Sequence, residues 1–358
     1  MLWHVANPIH KSFGSDNHAG AHPSVLAAVA AANSGDAVPY GADDISQRAE
    51  QMLCEATGAA RAILVFNGTA ANVAGLSLML RHPYEAVICA QTSHLNIDEC
   101  GASERILGCK LLPVDTPDGK LNPDLIATRL GGRGDEHRAQ PRIVQLAQVT
   151  EVGTCYSLAE LRAIQDFCRA NDLLIYIDGA RLANAAAQLG CSLADLGACA
   201  DVLSFGGTKN GALGVEAVLV MTGSLADGAM YQRKQLMQLG SKMRFLSAQV
   251  IGLLDDDVWL ANARQANAMA RRLAAAVSAI PGVEIAYAME GNGVFASISQ
   301  EQAELLQQDW NFHVWEATAD GRCVVRWMTA FDTTEADVDG LAAAVEASVI
   351  HVKHASAR

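Results

Sequence analysis

Short, nearly continuous apolar runs alternate with amphipathic segments up to residue 222. Such runs are typical of strands buried on both faces of a parallel sheet, and the segments between them predict covering helices. The predicted strands are 61–67, 86–93, 110–114, 142–149, 173–178, 201–206 and 216–221. Predicted helices include 69–81 and 157–171, and Ser157 with Glu160 has the sequence of a capping box. The alternation predicts an α/β fold with a mostly parallel seven-stranded sheet.

The pattern changes beyond residue 222. Residues 224–280 are almost entirely helical in pattern, and Pro281 with Gly282 interrupts them. Further on, apolar segments predict strands at 283–288, 293–299 and 322–328 and a closing helix near 334–349. We therefore expect an N-terminal segment (1–40), a large domain (41–250) and a smaller C-terminal α+β domain (251–358).

Composition narrows the class of protein. The 358 residues are 51% hydrophobic and 18% charged, which excludes disorder as the main state. The net charge of −13 argues against binding to nucleic acid, which requires a basic face. No apolar stretch reaches about 18 residues, so no membrane span is expected. Nine scattered cysteines without a C-x-x-C pair, and a start without an apolar signal core, predict a cytoplasmic protein.

The stretch GGTKNG (206–211) follows a predicted strand and contains Lys209 among small residues. Desolvation would lower the pKa of this lysine and make it a Schiff-base nucleophile. The stretch is not a phosphate-binding P-loop, because the order is Thr-Lys and no G-x-x-x-x-G precedes it. The alternative is an ordinary lysine in a surface loop.

Asp178 ends the apolar strand of IYIDGAR (175–181), where Gly179 would let the chain turn and Arg181 follows three residues later. The carboxyl ends of parallel strands form the ligand crevice of an open sheet. A carboxylate there can pair with a protonated pyridine nitrogen. The alternative is a structural aspartate that caps the next helix.

Two further strand ends carry polar residues. In FNGTAAN (66–72), Gly68 and Thr69 open a helix, whose bare amides and hydroxyl would bind phosphate. In TSHLNIDEC (92–100), His94 could stack on an aromatic ring, and Asp98 lies one helical turn beyond it. A metal would require His94, Asp98 or Cys100 to converge with further ligands. None stands at ligand spacing, so no metal is expected.

Arg326 lies inside an apolar alternating strand in RCVVRWMTAF (322–331). A buried arginine needs an anion, and a substrate carboxylate in bidentate contact would serve. A structural salt bridge is the alternative. Taken together, the phosphate-binding helix start, the stacking histidine, the strand-end aspartate and the later lysine predict a pyridoxal phosphate enzyme of fold type I, the aspartate-aminotransferase type.

The same stretches carry a resemblance to a known family. The chain resembles the threonine aldolases of the β-eliminating lyase group, and most of all the low-specificity L-threonine aldolases of bacteria. The stretches are SDNHAG (15–20), YGADDISQRAEQ (40–51), FNGTAANVAGL (66–76), TSHLNIDECGA (92–102), QVTEVGTCYSLAELRAI (148–164), IDGARLANA (177–185), SFGGTKNG (204–211), SKMRFLSAQ (241–249) and RWMTAF (326–331).

The resemblance implies a role for each matching residue. Lys209 would hold the cofactor, pyridoxal 5'-phosphate, as a Schiff base, and Asp178 would pair with its ring nitrogen. His94 would stack on the ring. The remaining implied residues are Gly68 and Thr69 on the phosphate, Ser15, Arg181 and Arg326 on the substrate carboxylate, Arg181 also near the cofactor, Asp98 near the substrate, and Arg244 reaching the phosphate of a neighbouring subunit.

The resemblance also implies a reaction and an assembly. A β-hydroxy-α-amino acid (L-threonine, L-allo-threonine or phenylserine) would be cleaved to glycine and an aldehyde. Family members are homo-oligomers, commonly tetramers, with active sites shared across a dimer interface. One position departs from the family pattern: Glu151 stands where better-known relatives have a histidine near the substrate hydroxyl. His94, Asp98 acting through water, and Glu151 are all candidates to remove the hydroxyl proton.

Other functions remain open at this point. The same residues would support β-elimination, decarboxylation or racemisation, because a fold does not choose the reaction. A catalytically inactive oligomeric scaffold is disfavoured by the intact Lys209, Asp178, His94 and Arg326. A cofactor-free lysine aldolase on a TIM barrel is disfavoured too, since seven strands and an α+β tail do not make eight βα repeats.

Overall fold

The computed structural model describes residues 11–318 and 321–356 and places their strands in two sheets. The strands are β1 (Arg61–Val65), β2 (Glu85–Ala90), β3 (Lys110–Val114), β4 (Gln140–Ala147), β5 (Leu174–Asp178), β6 (Val202–Gly206), β7 (Glu216–Val220), β8 (Glu284–Ile285), β9 (Gly293–Ser299), β10 (His313–Ala317) and β11 (Arg322–Met328). The helices are α1 (Pro23–Ala32), α2 (Asp44–Thr57), α3 (Gly68–Met79), α4 (His94–Ile97), α5 (Ala102–Leu107), α6 (Pro123–Ala127), α7 (Leu158–Ala170), α8 (Leu182–Leu189), α9 (Leu193–Gly197), α10 (Ala229–Gln235), α11 (Arg244–Leu254), α12 (Val258–Ser278), α13 (Gln300–Leu306) and α14 (Glu335–Ser356).

The large sheet has the order β1-β7-β6-β5-β4-β2-β3. Strands β3, β2, β4, β5 and β6 run parallel, whereas β7 is antiparallel to both β6 and β1. Both faces are buried: along β5, Tyr176 packs into one apolar cluster and Ile177 into another. The predicted mostly parallel seven-stranded sheet is confirmed, and the open order rules out a TIM barrel.

The small sheet is antiparallel, with the order β10-β11-β9-β8. Its core contains the fully buried Trp327 and is covered by residues of α12, α13 and α14. Phe13 belongs to this core and is tied to it by two backbone hydrogen bonds: its N–H donates to Asn311 O, and its carbonyl accepts from Met328 N–H. The chain around residue 13 is therefore fixed to the small sheet, directly before Ser15 and Asp16.

The sequence-based boundaries are closest where apolar patterning is strongest. The predicted strands 110–114, 293–299 and 322–328 coincide with β3, β9 and β11. The predicted strand 283–288 is reduced to the two residues of β8, and β10 was missed because its side chains are mostly exposed and show no apolar alternation. The helical region 224–280 is interrupted between α10 and α11. Within the described residues, no helix is long and apolar enough to cross a membrane.

Candidate active site

The carboxyl ends of five strands meet at one cleft. Polar side chains reach it from the segments after β1, β2, β4, β5 and β6. The residues that line the cleft with polar groups are Asn72, His94, Glu99, Glu151, Asp178, Arg181 and Lys209, together with Gly68 at the start of α3. Its free volume is about 60 Å³, whereas a cavity of about 540 Å³ lies at the amino ends of β5 and β6. We assign the candidate active site to the smaller cleft in spite of its volume, because ligands of open α/β sheets bind at the carboxyl ends of the strands.

Asp178 is fixed at the floor of this cleft. Its Oδ1 accepts a hydrogen bond from the Ala180 N–H over 2.9 Å, and its Oδ2 accepts one from Asn72 Nδ2 over 3.1 Å. The side chain is 8% exposed. The following helix, α8, has Arg181 at its N-cap position, so Asp178 is not the helix cap that the alternative interpretation required.

Asn72 connects Asp178 to two further side chains. Its amide nitrogen also donates to Glu99 Oε1 over 2.6 Å, and its Oδ1 accepts from the Tyr176 hydroxyl over 2.8 Å. Glu99 Oε1 in turn lies 3.0 Å from His94 Nδ1. The predicted ring partner and the predicted stacking histidine are thus the two ends of one hydrogen-bonded chain through Asn72 and Glu99.

The hydrogen bond that His94 Nδ1 makes to Glu99 raises the pKa of His94, against the opposing effect of burial, and the charge of Asp178 adds to the rise. The glutamate side chain is fully buried, whereas the histidine ring is 41% exposed towards the cleft. Sequence reasoning assigned Asp98 to this segment and missed Glu99. The sequence did contain a signal for Glu99, because it is a carboxylate only five residues beyond the candidate histidine His94.

Lys209 lies in a single 3₁₀ turn, Thr208–Asn210, directly after β6. Its pKa is lowered, first by the positive charge of Arg181 and second by burial. A lowered pKa of Lys209 agrees with the sequence-based expectation. That expectation named desolvation as the cause, whereas desolvation contributes less than the charge of Arg181. The turn is held by Glu216, whose Oε2 accepts from the Gly207 N–H over 3.0 Å. Burial raises the pKa of Glu216 to about 7.

Arg181 is already paired within the protein. Its Nε and Nη2 donate to the two carboxylate oxygens of Asp16 over 2.7 Å and 3.0 Å. Asn292 Nδ2 donates to the same carboxylate over 3.0 Å. Nη1 and the second N–H of Nη2 are left for a substrate carboxylate, so the structure narrows the role predicted for Arg181. Asp16 itself was missed, although it adjoins the predicted Ser15, which lies beside it at the start of a 3₁₀ turn.

Arg326 has no carboxylate partner within 4.0 Å among the described residues. Its Nη2 donates to Gly14 O over 3.0 Å, its guanidinium lies 5.1 Å from the Trp315 ring centroid, and its buried Nε has no partner. Burial and the charge of Arg181 lower its pKa, while the charges of Asp16 and the exposed Asp98 oppose this. The alternative of a structural salt bridge therefore does not hold here. Arg181 and Arg326 both have N–H groups that are free to donate, and such donors can bind the carboxylate of a ligand.

The start of α3 carries free backbone donors. Asn67 caps the helix, its Oδ1 accepting from the Ala70 N–H over 2.8 Å. Within the described chain, the N–H groups of Gly68 and Thr69 donate to no protein acceptor. A Cβ at Gly68 would meet no atom within 4 Å, so the space above these amides is open. Free amides at the N-terminus of a twelve-residue helix suit a phosphate.

Gly179 is required for a close backbone contact and not, as predicted, for a turn of the chain. A Cβ at this position would lie 2.0 Å from the Ser204 carbonyl oxygen, and one at Gly206 would lie 2.3 Å from the Ala180 carbonyl oxygen. The two backbones behind Asp178 and before Lys209 therefore touch. Glycine is needed for close approach rather than for a turn that only glycine adopts.

Arg244 lies outside the cleft at the start of α11. Its Nη1 donates to Gly35 O over 3.0 Å, and the residue is half-buried. Nothing within the described chain brings it to the free amides of α3. A contact with a second copy of the chain, as the resemblance implies for Arg244, stays a prediction.

Glu151 lines the cleft from the loop after β4. Its Oε1 accepts from the His94 backbone N–H over 2.8 Å, and its Oε2 is buried without a partner. Burial raises the pKa of this carboxyl to about 7. Of the three groups considered for proton removal, Glu151 and His94 lie in the cleft, whereas Asp98 is exposed beside it.

The fold is that of pyridoxal phosphate enzymes of fold type I. A threonine aldolase structure from Leishmania major superposes with a TM-score of 0.89 at 31% sequence identity, covering 94% of this chain and 98% of that one. The low specificity L-threonine aldolase of Pseudomonas sp. (strain NCIMB 10558) is 42% identical over 348 residues, which are 94% of this chain and 97% of that protein. The Pseudomonas aeruginosa protein of the same name is 43% identical over 330 residues, covering 89% and 93%. Residues 12–301 match the beta-eliminating lyase family, and the chain belongs to that family.

Proposed function

We propose that the protein cleaves β-hydroxy-α-amino acids such as L-threonine, L-allo-threonine and phenylserine to glycine and an aldehyde, with pyridoxal 5'-phosphate as its cofactor. It is a carbon–carbon lyase of the low-specificity L-threonine aldolase type. The observation that carries this proposal is the placement of Lys209, Asp178 and His94 around one cleft with the spare donors of two arginines. The relatives that cover nearly the whole chain and bear the aldolase name support it.

The donor set fits the cofactor. The free amides of Gly68 and Thr69 suit its phosphate, Asp178 suits a protonated ring nitrogen, and Lys209 is an amine with a lowered pKa. When bound, pyridoxal phosphate supplies an aldehyde that condenses with amines and a conjugated ring that accepts an electron pair. His94 presents its ring to the same cleft and would stack on the cofactor.

Different residues of the cleft would bind the substrate carboxylate, protonate the cofactor ring and transfer protons. Arg326, with Nη1 of Arg181 and the hydroxyl of Ser15, would hold the substrate carboxylate and thereby fix the orientation of the Cα–Cβ bond. Asp178, kept in place by Asn72, would hold a proton on the ring nitrogen. Lys209 would hold the cofactor through its amine and, once released, would return a proton to Cα. A base in the cleft takes the β-hydroxyl proton.

We further propose that the protein is a cytoplasmic homo-oligomer, a dimer of dimers, with Arg244 serving the neighbouring active site. Exposed apolar side chains beside Arg244 and the start of α3 support an interface there: Tyr40 is 51% and Met237 is 82% exposed, and Phe66 adjoins Gly68. Such a patch on a protein surface marks an interaction site. Free thiols at all nine cysteines agree with a reducing compartment.

The test is aldehyde release from L-threonine by the purified protein, with and without added pyridoxal phosphate. Alcohol dehydrogenase and NADH report acetaldehyde, and chromatography reports glycine in equal amount. Ammonia with a 2-oxo acid in place of these products would show β-elimination instead. No aldehyde from threonine or phenylserine, from protein that binds the cofactor, would overturn the proposal.

A further inference from the structure

Two carboxyl groups that line the cleft, those of Glu151 and Glu99, each have a buried oxygen without a partner among the described residues. The other oxygen of Glu99 is held by the side chains of Asn72 and His94. The carboxyl of Glu151 lines the same cleft as Lys209. Its Oε1 is occupied by the His94 N–H at 2.8 Å, whereas its Oε2 is buried and has no hydrogen-bond partner from another described residue. A buried polar atom without a partner is costly, and in a binding cleft its partner is expected to be a donor on the ligand.

The backbone around Glu151 is held rigidly. The Thr150 N–H donates to Thr154 O over 2.9 Å, the Gly153 N–H donates to Thr150 O over 3.0 Å, and the two threonine hydroxyls are 2.7 Å apart. Gly153 has a φ of +87°, which closes this turn in a conformation that suits glycine. The free oxygen therefore belongs to a preorganised group and not to a side chain that swings out into solvent.

The other two candidates are less suited. His94 Nδ1 is engaged by Glu99, and this hydrogen bond favours the protonated ring, which has no lone pair to accept a proton. Asp98 is exposed, so it would act only through water. Of these three candidates, Glu151 is the one whose carboxyl has a buried and unoccupied oxygen, Oε2.

We propose that Glu151 binds the β-hydroxyl of the substrate through Oε2 and accepts its proton during cleavage. The inference rests on the proposed function. As the hydroxyl proton passes to Oε2, the oxygen forms the C=O bond of the leaving aldehyde. The Cα–Cβ bond would break as this C=O bond forms, and the bound cofactor would supply the acceptor for its electron pair. The carboxyl of Glu151 then holds one added proton, which it releases before the next cycle.

The ionisation of Glu151 suits this step. Burial raises its pKa to about 7, and a general base works best when its pKa lies near the operating pH. The titratable groups whose charges act on it are His94 on α4, Asp178 on β5, Arg181 before α8, Cys89 on β2 and Tyr156 beyond the loop. A site that satisfies a buried acceptor with a substrate hydroxyl also rejects analogues that lack the hydroxyl.

The experiment compares two steps in the holoenzyme of Glu151→Gln, with Glu136→Gln, an exposed loop residue, as the matched control. We expect the kcat for aldehyde release from L-threonine to fall about 100-fold or more, in line with the loss of a general base. Glycine has no hydroxyl, so its dissociation constant, measured by calorimetry, is expected to stay within about twofold, as is typical of a group that makes no contact with that ligand. Wild-type protein is also expected to bind L-threonine more tightly than L-2-aminobutyrate, a preference that the variant loses.

A fall in kcat of less than about fivefold would overturn the inference, since general bases contribute far more. Parallel loss of glycine binding would overturn it as well, because Glu151 would then only support the cleft. If Glu151→Gln does not fold, Glu151→Ala with added formate replaces it, and absence of any rescue of aldehyde release counts against the inference. Failure of the proposed function looks different: wild-type holoenzyme would then bind glycine yet release no aldehyde.

Discussion

Arg181 and Asp16 form a two-pronged ion pair across the cleft, with Nε and Nη2 donating to the two carboxylate oxygens over 2.7 Å and 3.0 Å. The pair joins the end of β5 to the chain segment that Phe13 fixes to the small sheet. Burial opposes ionisation of Asp16, but the charges of Arg181 and Lys209 and the hydrogen bonds from Arg181 and Asn292 outweigh it and lower its pKa. The pair therefore links the two sheets at the active site.

Asp16→Asn is expected to destabilise the fold by about 3 kcal/mol, because it leaves a buried guanidinium without its counter-charge. Urea unfolding at pH 7 measures this, with the exposed Asp309→Asn as control. Since the folded pKa of Asp16 is lowered, its contribution is present above the unfolded pKa of about 4 and is lost as the pH falls through the folded value. The difference between variant and wild type should shrink on acidification. An equal difference at all pH values would contradict the ion-pair origin.

The sequence predicted best what depends on local pattern. Apolar patterning identifies β3 and β11 to the residue, and polar residues at strand ends identify Lys209, Asp178 and His94 as one site. Two of the residues that it missed, Asp16 and Asn72, act through partners distant in the chain: Asp16 lies 165 positions from Arg181, and Asn72 lies 106 positions from Asp178. No periodicity records such pairs. The third, Glu99, pairs with His94 only five positions away, so its signal was local and was overlooked. Gly179 was recognised as special, but its close contact with Ser204 depends on how two strands lie together.

Glu99→Gln tests the control of His94. The hydrogen bond to Glu99 is the largest cause of the raised pKa of His94, so the variant should lower this pKa. NMR titration of the imidazole signal measures it, with the exposed Glu346→Gln as control. Because the folded pKa is raised, the stability contributed by His94 is present below its unfolded pKa of about 6.5 and is lost as the pH rises through the folded value. The variant should thus lose more stability in acid than in alkali. An unchanged histidine titration would show that Glu99 does not set its protonation.

Lys209→Ala should abolish aldehyde release, because it removes the only lysine that lines the cleft in the described chain. The variant should still retain some pyridoxal phosphate without a covalent link, since the free amides of α3 and the carboxylate of Asp178 remain. Borohydride treatment followed by mass spectrometry should attach the cofactor to wild-type protein and to the exposed control Lys110→Ala, but not to this variant. Substantial residual turnover would refute the assignment of Lys209.

Gly179→Ala tests the contact that places Asp178 beside Lys209. The added Cβ would lie 2.0 Å from the Ser204 carbonyl oxygen and 3.0 Å from the Leu182 Cβ, and Gly179 also donates its N–H to Ser204 Oγ over 2.8 Å. Backbone cannot retreat there without parting β5 from β6, so we expect a loss of about 3 kcal/mol in unfolding free energy. Gly131→Ala, whose Cβ would meet no atom within 4 Å, should unfold like the wild type. Equal unfolding midpoints for the two variants would mean that β5 and β6 can separate at little cost. The position of Asp178 would then depend on its hydrogen bond with Asn72 and not on the contact between Gly179 and Ser204.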